Sequence, residues 1–155
     1  MLSKVLHENG VLPKRVENAQ QILGNCNLCP RNCCVDRASG ELGACASGRY
    51  ARIASYGPHF GEEQPLVGMN GSGTIFFASC NLHCCFCQNY DISHHPEDCP
   101  EVDAETLAGL MIELQDKGCH NINFVTPTHF VPQILEALPV AIEKGLQLPL
   151  VYNCS

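Results

Sequence analysis

No apolar stretch in this sequence reaches the roughly 18 residues that a membrane-spanning helix needs, so no span is expected. Its opening, MLSKVLHENGVLPKRVENAQ, has neither an apolar core nor a small-residue cleavage site and reads as no secretory signal. Basic residues are few. Nine Lys and Arg stand scattered against sixteen Asp and Glu, for a formal net charge of −7. A nucleic-acid partner needs a concentrated positive face, so that class of ligand is disfavoured. Internal repeats and low-complexity segments are absent, and no Ser-His-Asp arrangement can be argued from spacing. Gly71-Ser72-Gly73 runs into a strand pattern and not a helix, which excludes a phosphate-binding loop. With 45% hydrophobic and 16% charged residues over 155 positions, one ordinary domain with a small appended module remains.

What the chain has in abundance is cysteine, twelve in all. That density suits either a disulfide scaffold or metal binding, and the redox compartment decides between them. Without a signal segment the expected setting is the reducing cytoplasm, where thiols serve as metal ligands. Asn70-Gly71-Ser72 and Asn153-Cys154-Ser155 match the glycosylation pattern, which has no meaning there. The cysteines cluster: Cys26, Cys29, Cys33, Cys34 and Cys45 form one group, and Cys80, Cys84, Cys85 and Cys87 another. Cys99, Cys119 and Cys154 stand alone and read as buried small side chains.

Two segments are expected. Residues 1–50 hold a short helix at 13–23, with Pro13 in its first turn, followed by a Cys/Gly/Asn-rich stretch to Gly48 without periodicity. Residues 51–155 stay rich in turn residues to about Gly73 and then change character. Thr74–Ala78 is a short apolar run typical of a strand buried on both faces. Asp103 can cap a helix carrying Leu107, Leu110, Met111 and Leu114, which Gly118 closes. Asn121–Val125 is a second strand, Pro132 opens a second helix that Pro139 kinks or splits, and Leu148–Tyr152 is a third strand. The alternation predicts an α/β fold with about three parallel strands joined by right-handed crossover helices.

Cys80-Asn81-Leu82-His83-Cys84-Cys85-Phe86-Cys87 places Cys-x3-Cys-x2-Cys directly after the first of these strands. The end of such a strand is where α/β folds build their sites. Three thiolates there can wrap one [4Fe-4S] cluster and leave a fourth iron without a protein ligand. That open iron can chelate the amino and carboxylate groups of S-adenosylmethionine (SAM). Zinc, with Cys85 or His83 as fourth ligand, is the alternative occupant.

The segment from Gly71-Ser72-Gly73-Thr74-Ile75-Phe76-Phe77 through Cys80–Ser93 resembles the radical SAM family, closest to its pyruvate formate-lyase activating enzyme-like group. The similarity includes Cys26-Asn27-Leu28-Cys29-Pro30-Arg31-Asn32-Cys33, Val125-Thr126-Pro127-Thr128-His129 and Val151-Tyr152-Asn153. It implies a partial (βα) barrel, of which residues 73–155 hold about three strands at roughly 30 residues per unit. It also implies a cluster on Cys80, Cys84 and Cys87, with SAM held near Phe86, Thr126, Pro127, Thr128, His129 and Asn153. Thr126-Pro127-Thr128-His129 stands where family members commonly carry a Gly-Gly-Glu-Pro-like turn. The implied reaction is reductive cleavage of SAM to a 5′-deoxyadenosyl radical, with a reductant such as flavodoxin or ferredoxin. A glycyl-radical-type enzyme is then a possible protein substrate. No residue is assigned a catalytic role. The rival reading is a non-catalytic iron–sulfur or zinc module, or a fragment that needs further strands to act.

Cys26, Cys29, Cys33 and Cys45 offer four further thiolates, suited to structural zinc or a second iron–sulfur cluster, with Cys34 able to replace Cys33. Because this stretch lacks a core-forming pattern, metal would supply much of its folding energy. Gly61-Glu62-Glu63 can present a carboxylate to the site but reads more readily as an exposed acidic turn, and His94-His95 as a solvated pair more than a metal site.

Overall fold

Helices α1 (Leu2–Glu8) and α2 (Val11–Leu23) begin the chain in a computed structural model that describes residues 2–154. Met1 and Ser155, the outermost residues of the two expected segments, lie outside the described residues, and with Ser155 the last position of the second glycosylation pattern. From Gly24 to Tyr50 the chain has little regular structure beyond one 3-10 turn at Arg37–Ser39. The remaining elements are β1 (Ala51–His59), α3 (Gln64–Val67), β2 (Ser72–Phe77), α4 (Tyr90–His94) and β3 (Glu101–Val102). After them come α5 (Ala104–Asp116), β4 (Ile122–Val125), α6 (Val131–Glu143) and β5 (Leu150–Asn153).

The strands form one open mixed sheet in the order β3-β1-β2-β4-β5. β2, β4 and β5 are parallel neighbours, with Thr74 beside Asn123 and Asn123 beside Val151. β1 runs antiparallel to β2, and the two-residue β3 closes that edge. β1 goes beyond the expected strands. Gly57 and Pro58 interrupt its alternation, so the segment reads as turn-rich, yet both pair along β2, with Thr74 and Gly73.

Side chains alternate across a strand, and here the two faces differ sharply. Ile75, Phe77, Ile122 and Phe124 share the face covered by α5 and α6 and are all buried there with Leu107, Met111, Leu114, Ala137 and Leu138. Phe77 stacks on Phe124 with ring centroids 6.1 Å apart and meets Phe130 at 5.2 Å. Each such side chain contributes about 1.5–3 kcal/mol through burial. α2 packs against α6 and delivers Leu12 to the same core, so the N-terminal helix is built onto the sheet layer. α5 starts as its sequence requires, the Asp103 carboxylate accepting from Thr106 N at 2.8 Å. That bond holds the Asp103 carboxyl below its ordinary range. α6 runs unbroken through Pro139, contrary to the expected split. Ile134, Ala137, Leu138, Ala141 and Ile142 are buried on both sides of the proline, and their packing outweighs the lost backbone bond, about 3 kcal/mol.

The opposite sheet face is mixed, with Phe76 and Val125 beside two fully buried polar residues, Thr74 and Asn123. Neither amide atom of Asn123 has a hydrogen-bond partner in the protein. Beyond β4, β5 forms the other sheet edge, where Phe124, Val131, Ile134, Leu135, Leu138, Leu150, Val151 and Tyr152 line an apolar groove of about 180 Å³.

Gly73 is glycine because β2 and the approach to β4 nearly touch there: a Cβ would lie 2.5 Å from Asn121 O and 3.1 Å from Cys119 Cβ. Backbone cannot yield as a side-chain tip can. Gly73→Ala is expected to destabilise the fold by about 1–3 kcal/mol, read as a lowered denaturation midpoint at unchanged slope. An unchanged midpoint would show that the two strands separate freely.

Candidate metal and cofactor site

Thiols gather at the carboxyl ends of the parallel strands. β2 ends at Phe77, and the chain turns at Ser79, whose φ of 67° lies in the left-handed region. Ser79 N donates to Ile92 O at 2.7 Å, closing a loop that carries Cys80, Cys84, Cys85 and Cys87. His83, at φ 54°, makes a second left-handed turn, and Cys87 N donates to Cys84 O at 3.2 Å. Cys80 is buried, Cys84 and Cys87 are half-buried, and Cys85 is exposed. All are free thiols. Backbone Leu82 N–H points at Cys80 Sγ (3.4 Å), and the Ser93 hydroxyl lies 3.4 Å from Cys87 Sγ.

Cys80 and Cys87 share a cavity of about 40 Å³ with Ser79, Asn89, Ser93 and Thr126. Thr126 follows β4, has φ 53°, and donates its N–H to Asn153 O at 2.8 Å, joining the ends of β4 and β5. A larger, polar groove of about 340 Å³ lies alongside, lined by His59, Gly61, Glu62, Phe76, Gln88, Asn89, Val125 and Asn153. Glu62 stands 3.6 Å from the His59 ring. The turn weighed as a source of a carboxylate and as an exposed acidic turn borders this groove, and His59, Gln88 and Asn89 are lining residues that the sequence reading missed. No spacing signal marks them, because β1 and the cluster loop bring them together only in the fold.

Of the residues expected around SAM, Phe86 is 84% exposed beside Cys87. Asn153 is exposed in the polar groove, and Thr128 is half-buried with its hydroxyl 3.1 Å from Tyr152 OH. Pro127 and His129 are buried. His129 faces the N-terminal cysteines, lining a small cavity with Cys26, Cys29, Cys33 and Cys45. Its Nε2 lies 3.4 Å from Ser79 Oγ, and its carbonyl accepts from the Arg37 guanidinium at 2.7 Å. Burial, and then the nearby Arg37 charge, push its pKa down to about 3.

The cysteine-rich stretch is docked onto the cluster loop. Arg31 donates to Asn81 O (2.9 Å) and Leu82 O (3.0 Å), and the His83 ring meets Ala44 O at 2.9 Å. Ser79 Oγ donates to Cys45 O at 2.6 Å and lies 2.7 Å from the Ser47 hydroxyl. As the side chains stand, no group of three or more His, Cys, Asp and Glu among the described residues converges on a single metal ion. A cubane cluster makes a looser demand, since each thiolate binds a different iron. Cys80, buried and facing the Leu82 N–H, and the half-buried Cys84 and Cys87 are three free thiols on one loop and fit that requirement. His94 is not a free solvated residue: it stacks on Tyr90 at 4.2 Å and meets Ser93 Oγ through Nδ1 at 2.8 Å. Cys119 is buried, which pushes its thiol pKa up, whereas Cys154 is exposed.

Fold and site define an open mixed α/β sheet with a cysteine loop at the carboxyl ends of its parallel strands. The chain is 34% identical over 151 residues to a Methanocaldococcus jannaschii protein described as uncharacterized protein MJ0674, covering 92% of this chain and 42% of that relative. A second protein of the same organism, uncharacterized protein MJ0808, is 24% identical over 144 residues, covering 83% of this chain and 42% of its own length. The chain thus spans about two-fifths of the length of these curated relatives. No family profile matches the chain, and no solved structure matches it significantly.

The buried neutral His129 makes stability depend on pH. Its pKa is about 3 in the fold and roughly 6.5 when unfolded, so between these values only the unfolded chain takes up the proton. Its contribution is complete above pH ~6.5 and is lost as pH falls toward ~3, by about 1.4 kcal/mol per pH unit. Thermal unfolding from pH 7 to 5 should show a steeper loss for the native chain than for His129→Gln. Equal slopes would mean that this ring titrates normally.

Proposed function

We propose that this chain is a radical SAM protein, or the cluster-bearing part of one, related to the activating enzymes of glycyl radical enzymes. Cys80, Cys84 and Cys87 hold a [4Fe-4S] cluster, and SAM lies in the polar groove at the ends of β2, β4 and β5. The observation that carries this reading is the cavity shared by Cys80, Cys87 and Thr126, at the ends of adjacent parallel strands and next to that groove.

When bound, the cluster supplies the electron for reductive cleavage of SAM to methionine and a 5′-deoxyadenosyl radical. The chain's own residues bind, orient and exclude water. Thr126 and Asn153 present polar groups at the strand ends, held in register by the Thr126 N–H to Asn153 O bond. Phe86 offers an exposed aromatic face that a bound adenine would cover, and Thr128 adds a hydroxyl braced by Tyr152. Pro127 and His129 act from beneath, fixing the backbone of the turn. A reduced flavodoxin or ferredoxin, in a reducing cytoplasm, is the fitting electron donor, and a protein hydrogen-atom donor the fitting substrate. No helix among the described residues is long and apolar enough to cross a membrane.

A second reading has one observation in its favour. The sheet is open, and an apolar groove runs along its β5 edge, so the chain can hold the cluster while further strands complete the substrate pocket.

Anaerobic reconstitution with iron and sulfide tests the proposal. The native chain should gain the broad visible absorbance of a cubane cluster and an EPR signal after dithionite, and Cys84→Ala should lose both. Absence of both from the reconstituted native chain overturns the cluster assignment. Release of 5′-deoxyadenosine from SAM separates the enzyme from a cluster-binding module, which would release none.

A further inference from the structure

Four other thiols surround a cavity of their own. Cys26 follows α2 and is pinned on both sides, its N–H donating to Val35 O (3.0 Å) and its carbonyl accepting from Cys34 N (2.9 Å). Asn32 N donates to Cys29 O at 3.0 Å, and left-handed conformations at Asn32 (φ 45°) and Cys34 (φ 55°) curl the chain between Cys29 and Val35. Cys45 arrives on a turn closed by Ala46 N to Gly43 O at 2.9 Å. Gly43 packs so closely that a Cβ there would sit 3.0 Å from Cys33 Sγ. The four side chains line one cavity of about 10 Å³. Cys34, the possible substitute, is exposed and turns its thiol back to Asn32 O.

The surroundings are prepared for negatively charged sulfur. Cys33 Sγ accepts from Ala44 N–H at 3.4 Å, and Cys26 Sγ faces the Arg37 guanidinium at 3.8 Å. Arg37 is fully buried, and its other bonds go to the carbonyls of Gly48 and His129. Among the described residues no carboxylate pairs with it. A guanidinium does not shed its proton, so a buried one without an anion is strongly unfavourable. No Asp or Glu lines this cavity, whereas Arg31 and Arg37 both do. Donors and cations of this kind offset the negative charge that metal-bound sulfur carries.

We propose that Cys26, Cys29, Cys33 and Cys45 bind one zinc ion as a closed, structural tetrathiolate site. Structural zinc takes four ligands of this type, and the small cavity that the four side chains line suits a single ion. On binding, the four thiols release their protons to solvent, and four thiolates around Zn²⁺ leave a net charge of two minus. Arg37 and Arg31 offset it. The thiols close on the ion by side-chain rotation, since the backbone already curls around the cavity. Arg31, between Cys29 and Cys33, then carries the brace to Asn81 and Leu82. That bracing role rests on the cluster reading; the zinc site does not.

The test is elemental analysis of the full chain, purified anaerobically without chelator. We compare the native protein, Cys29→Ser, and a variant with Cys80→Ala, Cys84→Ala and Cys87→Ala together. The native chain and the triple variant should each hold about one zinc per chain, falling at least about fivefold in Cys29→Ser. Zinc missing from the native chain, unchanged in Cys29→Ser, or lost with the triple variant would overturn the proposal. If Cys29→Ser does not fold, cobalt(II) titration of the metal-free triple variant decides. Tetrahedral thiolate–cobalt bands that zinc abolishes support the site, and their absence overturns it. Iron held by the native chain and lost from the triple variant reports on Cys80, Cys84 and Cys87, so failure of that reading is seen separately.

Discussion

The Arg37 guanidinium sits at zero exposure where three parts of the chain meet, and its bonds hold them in register. It reaches Gly48 at the end of the cysteine-rich stretch, His129 in the turn after β4, and the sulfur of Cys26 just beyond α2. A buried charge is tolerated only where its donors are met, so each contact is a condition on the others. With Arg37 in place the His129 carbonyl is fixed, the turn from Thr126 to Phe130 follows, and the strand ends beneath the cysteine loop acquire a defined shape. The same charge helps to keep the His129 ring neutral.

From this anchor the two cysteine groups can be read as one assembly. Arg31, His83, Ser47 and Ser79 connect them through bonds spanning 32 to 51 positions in sequence, and these bonds run mostly to backbone carbonyls. Such contacts fix loop shape without depending on the rotamer of any thiol. That is the arrangement a metal-binding loop needs, since its sulfurs must turn while its backbone stays still.

Much of the layer architecture was legible in the sequence, because the relevant signals are local. The apolar run after Gly73, the Asp103 cap and the spacing of Leu107, Met111 and Leu114 each specify an element within a few residues. β1 was not legible: Gly57 and Pro58 mimic a turn, and only pairing with β2 makes the segment a strand. Pro139 misled in the opposite sense, since core packing on both sides overrides a local breaker. The cysteine loop could be placed from spacing and the preceding strand. Arg37, Ser79, His59 and Asn89 could not, because what marks them is burial or convergence across distant segments. His129 read as a SAM contact or a helix-entry residue, and only the fold shows its ring buried near Ser79 and its carbonyl held by Arg37.

The two edges of the sheet are unequal. On one side the two-residue β3 covers only Ala51 and Arg52 of β1 and carries Glu101, whose carboxylate is taken by Arg52, which leaves a charged rim there. On the other side β5 presents a longer edge beside an apolar groove. A sheet guarded on one flank and receptive on the other has a direction. Each parallel strand added beyond β5 would lengthen the row of carboxyl ends on which the thiol loop already stands.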